Sequence, residues 1–552
     1  MESPSVIIDS TTRIEPQKAK VSARSIPLSI LDATTANFAL TSAVWVFNAP
    51  THPKTEGFDL KTHLIDSLPA TLDAYPHWAG RIRAIQTLHG DESDETASFP
   101  AHARRYGRIY AIFGDDQDPG VDVTSASSTA TANELHPPNR TKAGVPWKGQ
   151  STGLYRFVSS ASIADAFHPD ARNDDNLLKP VMAIQITELA CGGFVLAAKI
   201  SHPLADITAL VSFVKDWTVV SRARLDGLED PVALLPVFNP LQLDTLAAGD
   251  INADTSDPEI IQRAINLPLH RYDWWLPAAD CPWPTSVPEP FRNTDLTVGA
   301  GVKMPWSEWD TSAPVSHYVV HFSQAQVELL TNTINLNSSQ RLSQHDAVLA
   351  HVWSCIARAR NLDRDTGPIH CDLVYGVRPA FGLPTNFIGS PVIMINIELP
   401  GSQVAGGGDR SIELSHLGPI ATCIRNTLSE VAKAKSIAAY LHTAAFEAAP
   451  QRLWQAFLGR RHILVTTWAR SGIYSIDFGL GSSVCCADGI IPDMDGTILI
   501  KEAPPKAHGS DVASSSWTAH GVDISIRIQD EDMKRLLQDP LLYPTQSESE
   551  QI

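Results

Sequence analysis

The stretch "ISHPLADIT", residues 200–208, places a histidine and an aspartate four positions apart, directly after the apolar run "GFVLAAKI". Such a run is typical of a buried strand. The apolar residues that follow recur on one helical face; they are Ile207, Leu210, Val211, Val214 and Trp217. The pattern therefore predicts His202 at the end of a strand and Asp206 in the first turn of a helix.

This position favours a functional role for the pair, because side chains at strand ends project into clefts while the scaffold holds them still. Pro203 biases His202 away from helical backbone, which fixes the imidazole at a bend. By residue type alone, a histidine beside a proline at a strand end is more often a hydrogen-bonded core residue than a catalyst. With 19 histidines in the chain, a match to H-x-x-x-D is also expected about once by chance.

Length and charge limit the classes of function. A chain of 552 residues predicts two large domains or three smaller ones. Its net charge of −18 and the lack of any Lys/Arg run disfavour a nucleic-acid partner. The start "MESPSVIIDSTTRIEPQKAK" lacks the features of a secretion signal, and no apolar stretch reaches the ~20 residues of a membrane span. We therefore expect a soluble cytoplasmic protein that does not act on membranes.

Common cofactor and metal signatures are absent from the sequence. The seven cysteines are odd in number and widely spread, which favours reduced thiols over a disulfide framework. The adjacent Cys485 and Cys486 are expected to be buried rather than reactive. No Cys/His cluster has zinc spacing, and no P-loop, G-x-S-x-G or G-x-G-x-x-G sequence occurs. The sequence thus predicts no metal site.

The first half of the chain reads as mixed α/β structure. "SAVWVFNAP" predicts a strand, and Leu64, Leu68 and Leu72 predict a helix despite Pro69. Residues 86–178 are acidic and rich in Ser, Thr and Pro, which predicts surface insertions around short strands. "VMAIQITEL" and "GFVLAAKI", joined at "ACGG", predict a hairpin that leads into the opening motif.

A Pro- and Trp-rich segment separates this half from a second α/β half. Residues 226–310 include "HRYDWWLPAADCPWPTSVPEPF" and predict a long crossover linker whose aromatic residues pack on the surface. "RLSQHDAVLAHVWSCIARAR" predicts a helix capped by Ser343. Strands are predicted at "HCDLVYGV", "SPVIMINIEL", "RHILVTTW" and "VDISIRIQ", and a last helix at "DEDMKRLLQD". The predicted domains are 1–225 and 311–552.

Several of these segments together resemble one enzyme family. "SHPLAD", followed much later by "SIDFGLGSS", resembles the H-x-x-x-D and D-F-G-W-G signatures of the BAHD acyltransferases, including their fungal trichothecene acetyltransferase-like members. "AYPHWAGRI", "CGGFVLAAKISH", "LSQHDAVLAHVW" and "VTTWARSGIYSIDFG" are similar to further family segments, in the family's order. The resemblance extends from about residue 25 to 540.

The resemblance implies two chloramphenicol-acetyltransferase-like α/β domains with the histidine in a channel between them. It makes His202 the general base that deprotonates a hydroxyl or amine as that group attacks an acyl-CoA thioester, without a nucleophilic serine or a metal. Asp206 is then structural and paired with a cation, for which Arg378 in "YGVRPAF" is the candidate. The loop of Asp477, Phe478, Gly479 and Gly481 is also implied to be structural.

The sequence departs from the family pattern near both motifs. Ile207 stands where the family often has glycine, which adds bulk at the helix start, and Leu480 replaces the tryptophan of the glycine motif. Gly479 and Gly481 keep the backbone freedom for a tight turn. The resemblance also places Trp468 and Arg470 near the acceptor, although residue type alone predicts one core and one surface residue.

The leading hypothesis is an acyl-CoA-dependent acyltransferase, with acetyl-CoA as the expected donor, acting as a monomer on a small specialised metabolite. One alternative is a condensation-type catalyst that takes its acyl group from a carrier-protein thioester. "SHPLADI" meets the H-H-x-x-x-D-G pattern of those domains only in part, and no carrier sequence flanks it. A third hypothesis is a catalytically retired binding module, which intact His202 and Asp206 disfavour.

Overall fold

The computed structural model of the protein covers most of the chain. The residues it describes are 5–18, 22–51, 58–88, 94–136, 145–149, 153–228, 233–276, 278–283, 286–292, 296, 301–336, 338–406, 414–505 and 516–545. Within these ranges, no helix has the length and apolar character that crossing a bilayer requires.

The strands follow one another along the whole chain. They are β1 (Val6–Ile14), β2 (Arg24–Pro27), β3 (Thr41–Phe47), β4 (Arg81–Ala84), β5 (Ile109–Phe113), β6 (Val121–Ser128), β7 (Trp147–Lys148), β8 (Met182–Leu189), β9 (Phe194–Ile200), β10 (Tyr272–Asp273), β11 (Val315–Phe322), β12 (Pro368–Gly376), β13 (Val392–Pro400), β14 (Leu453–Trp454), β15 (His462–Thr467), β16 (Val484–Gly489), β17 (Thr497–Glu502) and β18 (Val522–Gln529).

The α-helices alternate with these strands. They are α1 (Ile30–Thr34), α2 (Leu60–Leu72), α3 (Ala132–Leu135), α4 (Ile207–Leu225), α5 (Pro240–Asp244), α6 (Pro258–Ile265), α7 (Gln324–Asn335), α8 (Gln344–Ala359), α9 (Gly401–Ala405), α10 (Leu417–Val431), α11 (Ala434–Phe446) and α12 (Asp530–Leu537). The strands and helices predicted in both halves are thus confirmed, including the helix that contains Pro69.

The first large sheet carries the opening motif. Its strand order is β1-β6-β8-β9-β3-β16, and the predicted hairpin of β8 and β9 is present with Met182 opposite Ile200. β9 lies inside this sheet between β8 and β3, and all its residues except Lys199 are buried. Both faces of the strand are therefore covered, which explains its almost uninterrupted apolar sequence. The strand that ends just before His202 is therefore held by hydrogen bonds to a neighbouring strand along each edge.

The second large sheet has the order β13-β12-β15-β17-β18-β11-β7. Two strands join sheets on the opposite side of the predicted linker. β16, from the C-terminal half, pairs with β3 of the first sheet, and β7, from the N-terminal half, pairs with β11 of the second. The division of the chain into two domains by a linker at 226–310 stays a prediction. The exchanged strands β7 and β16 connect the two halves through backbone hydrogen bonds.

Each sheet is covered by helices that the sequence predicts. α4 begins at Asp206, whose side chain accepts a hydrogen bond from the Ala209 backbone N–H, and it buries Trp217 in the first core. α8 begins at Ser343, which forms a capping box with Asp346. The cap predicted at Ser343 is therefore confirmed, whereas Asp206, predicted in the first turn, is the N-cap one position before α4.

The N-terminal half contains the short strands predicted within residues 86–178. They are β5 and β6, whose residues are almost entirely buried. The polar leader, for which no strand was predicted, forms β1 and pairs along its length with β6. Its Ser and Thr side chains suit a solvent-facing edge strand.

Buried histidines predict that the protein is less stable in acid. Burial lowers the pKa of His77 to about 3 and that of His351 to about 4, whereas an unfolded histidine titrates near ~6.5. The unfolded chain therefore binds more protons between these values, so the free energy of unfolding falls as the pH drops through this window. The expected loss is on the order of 3 kcal/mol for each such group by pH 4.

The comparison is denaturant unfolding at pH 7.5 and 4.5 for the wild type and for His77→Phe. His77 stacks on Phe238 at 3.7 Å, so phenylalanine keeps the stacking and removes the titration. Two buried carboxyl groups act in the opposite sense, because burial raises the pKa of Asp32 to about 6 and that of Glu447 to about 7. Equal pH sensitivity in both proteins would contradict the assignment of the acid lability to His77.

Candidate active site

His202 lies where β9 gives way to α4. The strand ends at Ile200, and residues His202–Leu204 form one short 3₁₀ turn with Pro203 at its start. The half-buried imidazole is held on two sides. Its Nδ1 lies 2.9 Å from Ser390 Oγ, and the ring of Phe38 meets it edge-on at 5.4 Å between centroids. The turn and these two contacts fix the ring.

The backbone of Ser390 is held in turn by a buried carboxylate. Asp32 Oδ1 accepts a hydrogen bond from the Ser390 backbone N–H at 2.5 Å, and its Oδ2 accepts one from Ser29 Oγ at 2.7 Å. Burial raises the pKa of Asp32 to about 6 although these hydrogen bonds oppose the shift. The sequence analysis missed both Ser390 and Asp32, because they come from distant parts of the chain.

The charge state of His202 follows from its surroundings. Burial lowers the pKa of the imidazole below its usual value, and the negative charge of Asp206 only partly opposes this shift. The ring is therefore mostly neutral at neutral pH. A neutral imidazole fixed through one nitrogen can use the other nitrogen as a base or a hydrogen-bond acceptor.

Asp206 forms a buried ion pair with Arg378. Nη2 of the arginine lies 3.0 Å from Asp206 Oδ1, Nη1 contacts Oδ2, and each side chain is 8% exposed. The Asp206 backbone N–H donates to the carbonyl of Gly389, which also accepts from Arg378 Nη2. Arg378, the partner implied by the resemblance, is thus the residue that contacts Asp206. The ion pair joins the start of α4 to the loop that carries Ser390.

The loop of residues 477–481 lies apart from His202. Asp477 Oδ1 accepts a hydrogen bond from the Gly479 backbone N–H at 2.9 Å, and Arg222 of α4 contacts the Asp477 carbonyl. Gly479 and Gly481 have φ values of 79° and 68°, in the left-handed region that favours glycine. Phe478 is fully buried in the first core. The loop therefore braces α4, and none of its residues lines the cavity beside His202.

The cavity beside His202 has a volume of about 490 Å³ and lies between the two large sheets. Thr41 of β3 and Val374 of β12 are among the residues on its walls. Ile207 also lines it, whereas Leu480 is buried in the first core. Leu480 therefore fills core space, and Ile207 directly takes up room beside His202.

The two predicted substrate-binding residues differ in position. Trp468 lines the cavity and is buried. Arg470 is exposed, lies outside the lining and has a φ of 65°, in the left-handed region that costs energy for a residue with a Cβ. The structure therefore brings Trp468 to the site with His202 and does not bring Arg470 there.

A cluster of three histidines lies elsewhere, around Asp372. The rings of His370 and His462 stack, with their centroids 4.4 Å apart and an angle of 19° between their planes. The third member is His270, and one ring nitrogen of each histidine lies within 4.8 Å of those of the other two. In a tetrahedral zinc site with ordinary Zn–N bonds, the ligand nitrogens lie about 3.4 Å from one another. Burial alone would raise the pKa of Asp372, but contacts with His270 and His462 lower it to about 2. The geometry fits imidazoles gathered around a carboxylate better than it fits a metal site.

The chain is similar in sequence to known transferases. The model of the Transferase family matches residues 153–244, which include His202 and Asp206. Acyltransferase AFT15-1 of Alternaria alternata is 25% identical over 97% of both chains. Acyltransferase abl6 of Leptosphaeria maculans is 23% identical over 97% of this chain and 98% of that protein.

A solved structure shows the same fold. F. graminearum TRI101 complexed with coenzyme A and deoxynivalenol superposes with a TM-score of 0.60 at 17% identity, covering 94% of this chain and 98% of that one. The α/β architecture with two chloramphenicol-acetyltransferase-like domains is therefore shared. Together with the matched family model and the two fungal relatives, it shows that the chain is an acyltransferase enzyme, and it supports the resemblance to the BAHD family.

Proposed function

We propose that the protein transfers an acyl group from an acyl-CoA, with acetyl-CoA as the first candidate, to a hydroxyl or amine of a small specialised metabolite. The observation that carries this proposal is the imidazole of His202, held by Ser390 at Nδ1 and facing a cavity between the sheets. The bound coenzyme A named for TRI101 supports an acyl-CoA donor. The proposed reaction requires neither a metal nor a partner subunit.

His202 is the general base in this proposal. When its Nδ1–H donates to Ser390 Oγ, the lone pair of Nε2 is free to accept a proton. The lowered pKa keeps the ring neutral before the reaction, which is the state that a base requires. Asp206 and Arg378 act as structural partners that hold the turn, because their charges satisfy each other.

The proposed chemistry is a direct transfer. The acceptor oxygen or nitrogen attacks the thioester carbonyl carbon while its proton passes to His202 Nε2, which gives a tetrahedral intermediate. The intermediate then collapses and the carbon–sulfur bond breaks. The coenzyme A thiolate takes the proton from the imidazolium, so His202 returns to its neutral form. No group of the protein becomes acylated.

The test is a transfer assay with a panel of acceptors. The protein is incubated with acetyl-CoA or a longer acyl-CoA and neutral alcohols, acids and amines, while thiol release and acylated product are measured. We expect coenzyme A and acylated product in equal amounts and only when an acceptor is present. Transfer from a carrier-protein thioester but from no acyl-CoA would support the condensation-type alternative instead.

Ser390→Ala tests how the base is held. Without the hydroxyl, Nδ1 loses its partner, and we expect kcat to fall by about 10-fold, the lower end of the scale for residues that orient a reacting imidazole. The inflection of kcat/KM should also move to lower pH, because the hydrogen bond from Nδ1–H stabilises the protonated ring. An unchanged pH profile with reduced activity would show that Ser390 acts only through packing.

A further inference from the structure

The walls of the cavity beside His202 are unusually aromatic. Tryptophans from the crossover and the second half meet there, and those used below are Trp274, Trp306, Trp309, Trp454 and Trp468. Trp306 lies 5.7 Å from Trp274 and 6.2 Å from Trp309 between ring centroids. The sequence analysis expected the crossover aromatics to pack on the surface, and this expectation is wrong, because they form a wall of the site.

This wall is fixed to the second half of the molecule. Asp273, just before Trp274, forms a buried ion pair with Arg452, at 3.0 Å from its Nε. The Trp274 backbone N–H donates to the Arg452 carbonyl, and Tyr272 pairs with Trp454 in the sheet of β10 and β14. The aromatic wall is therefore built into the fold before any ligand binds.

The cavity carries almost no charge. Among the described residues that line it, Asp206 is the only one with a full charge at neutral pH, and Arg378 neutralises it. Burying a charged group without a partner is costly. The phosphates of coenzyme A need cationic or N–H partners, so the nucleotide end of that donor belongs outside this cavity.

The cavity leads from the aromatic wall to the base. Phe38 contacts the His202 ring at 5.4 Å and the Trp454 ring at 4.5 Å, edge-on in both cases. A flat molecule stacked on Trp454 would therefore stand nearly perpendicular to the Phe38 ring, and a substituent at its rim would lie near the imidazole. The volume of about 490 Å³ lies within the usual range for pockets that enclose drug-sized molecules.

We propose that the acceptor is an uncharged, largely apolar ring compound with a hydroxyl at its rim, bound on the tryptophan wall. This inference rests on the proposed function and narrows it, because it excludes carboxylate and amine acceptors. Aromatic faces bind apolar rings with a gain beyond buried area. The described lining offers no cation to a carboxylate, and the cation–π contacts that tryptophans give an ammonium group only partly offset the cost of removing that group from water.

Binding of three matched probes tests the proposal without any acyl donor. The probes are 2-(2-naphthyl)ethanol, 2-naphthylacetic acid and 2-(2-naphthyl)ethylamine, titrated at pH 7.5 and followed by calorimetry. We expect the alcohol to bind about 10-fold more tightly than either charged probe, which corresponds to about 1.4 kcal/mol of binding free energy. Charged probes that bind as tightly as the alcohol would overturn the proposal.

Two variants and one competition locate the binding. Trp454→Ala should weaken binding of the alcohol by about 10-fold, whereas Trp147→Ala should not change it, because Trp147 lies outside the lining. Saturating acetyl-CoA or octanoyl-CoA should leave the Kd of the alcohol within about twofold. Displacement by octanoyl-CoA alone would assign the cavity to the acyl chain and overturn the proposal.

The design separates this inference from the proposed function. Binding of the probes needs no turnover, so an inactive protein that still prefers the alcohol would count against acyl transfer and not against the apolar site. Conversely, acyl transfer to the amine or the acid that is as efficient as transfer to the alcohol would overturn the inference and leave the proposed acyl transfer in place.

Discussion

His202→Ala is expected to lower the rate of acyl transfer by about 10²-fold or more, because removal of a general base typically costs that much. The fold should survive, since the half-buried imidazole lies on a cavity wall, where its hydrogen bond to the Ser390 hydroxyl can be replaced by water. The measurement is kcat/KM for the best acceptor, with circular dichroism and thermal unfolding as controls for folding.

His168→Ala serves as the matched variant for this experiment. Its side chain is 76% exposed and pairs only with Asp165 among the described contacts, so its removal should leave the rate unchanged. Undiminished turnover by His202→Ala would remove the basis for the catalytic assignment. A loss of activity that follows a loss of folding would show that the histidine is structural.

Asp206→Asn is expected to destabilise the protein by about 3 to 5 kcal/mol, since it leaves the buried guanidinium of Arg378 without a counter-charge. Asparagine caps helices well, so the hydrogen bond at the start of α4 is kept and the cost comes from the lost charge. Urea unfolding gives the stability, and the transfer assay gives the activity, which should fall as the His202 turn loosens.

A double variant distinguishes a structural role of the Asp206–Arg378 ion pair from a catalytic role of Asp206. Arg378→Met combined with Asp206→Asn removes both charges and should be less destabilised than the sum of the single changes. If Asp206→Asn abolishes turnover and leaves stability unchanged, then Asp206 takes part in the reaction and its structural assignment is wrong.

The local structure of the opening motif could be predicted because its signals are local. The apolar run of β9, the proline after His202 and the helical spacing after Asp206 all lie within about 25 residues, and the structure has each of them where the sequence placed it. The resemblance added Arg378, which no spacing rule connects to Asp206 across 172 positions.

The partners of His202 could not be predicted in the same way. Ser390 lies 188 positions from His202, and Asp32 lies 358 positions from Ser390. Serine and aspartate are common, and nothing in their local sequence shows which distant atom they face. "SILD", with Ser29 and Asp32 at capping-box spacing, predicts a helix start, but a buried carboxylate beside the active site needs the tertiary structure.

The crossover shows a second limit of sequence reasoning. A linker rich in tryptophan and proline more often packs on a surface than it binds a ligand. In the structure the segment lines a cavity instead, because the ion pair of Asp273 with Arg452 holds it beside β14. The exchange of β7 and β16 between the sheets was likewise invisible, because short strands carry little pattern of their own.

The measurement that tests direct transfer most directly is the intact mass of the protein after incubation with acyl-CoA alone, combined with initial rates against both substrates. A general base without an acylated group predicts the unmodified mass after denaturation and double-reciprocal plots that intersect. A stoichiometric acyl adduct on Cys485, Cys486 or a serine, together with parallel plots, would contradict the assignment of His202 as the base and establish covalent catalysis.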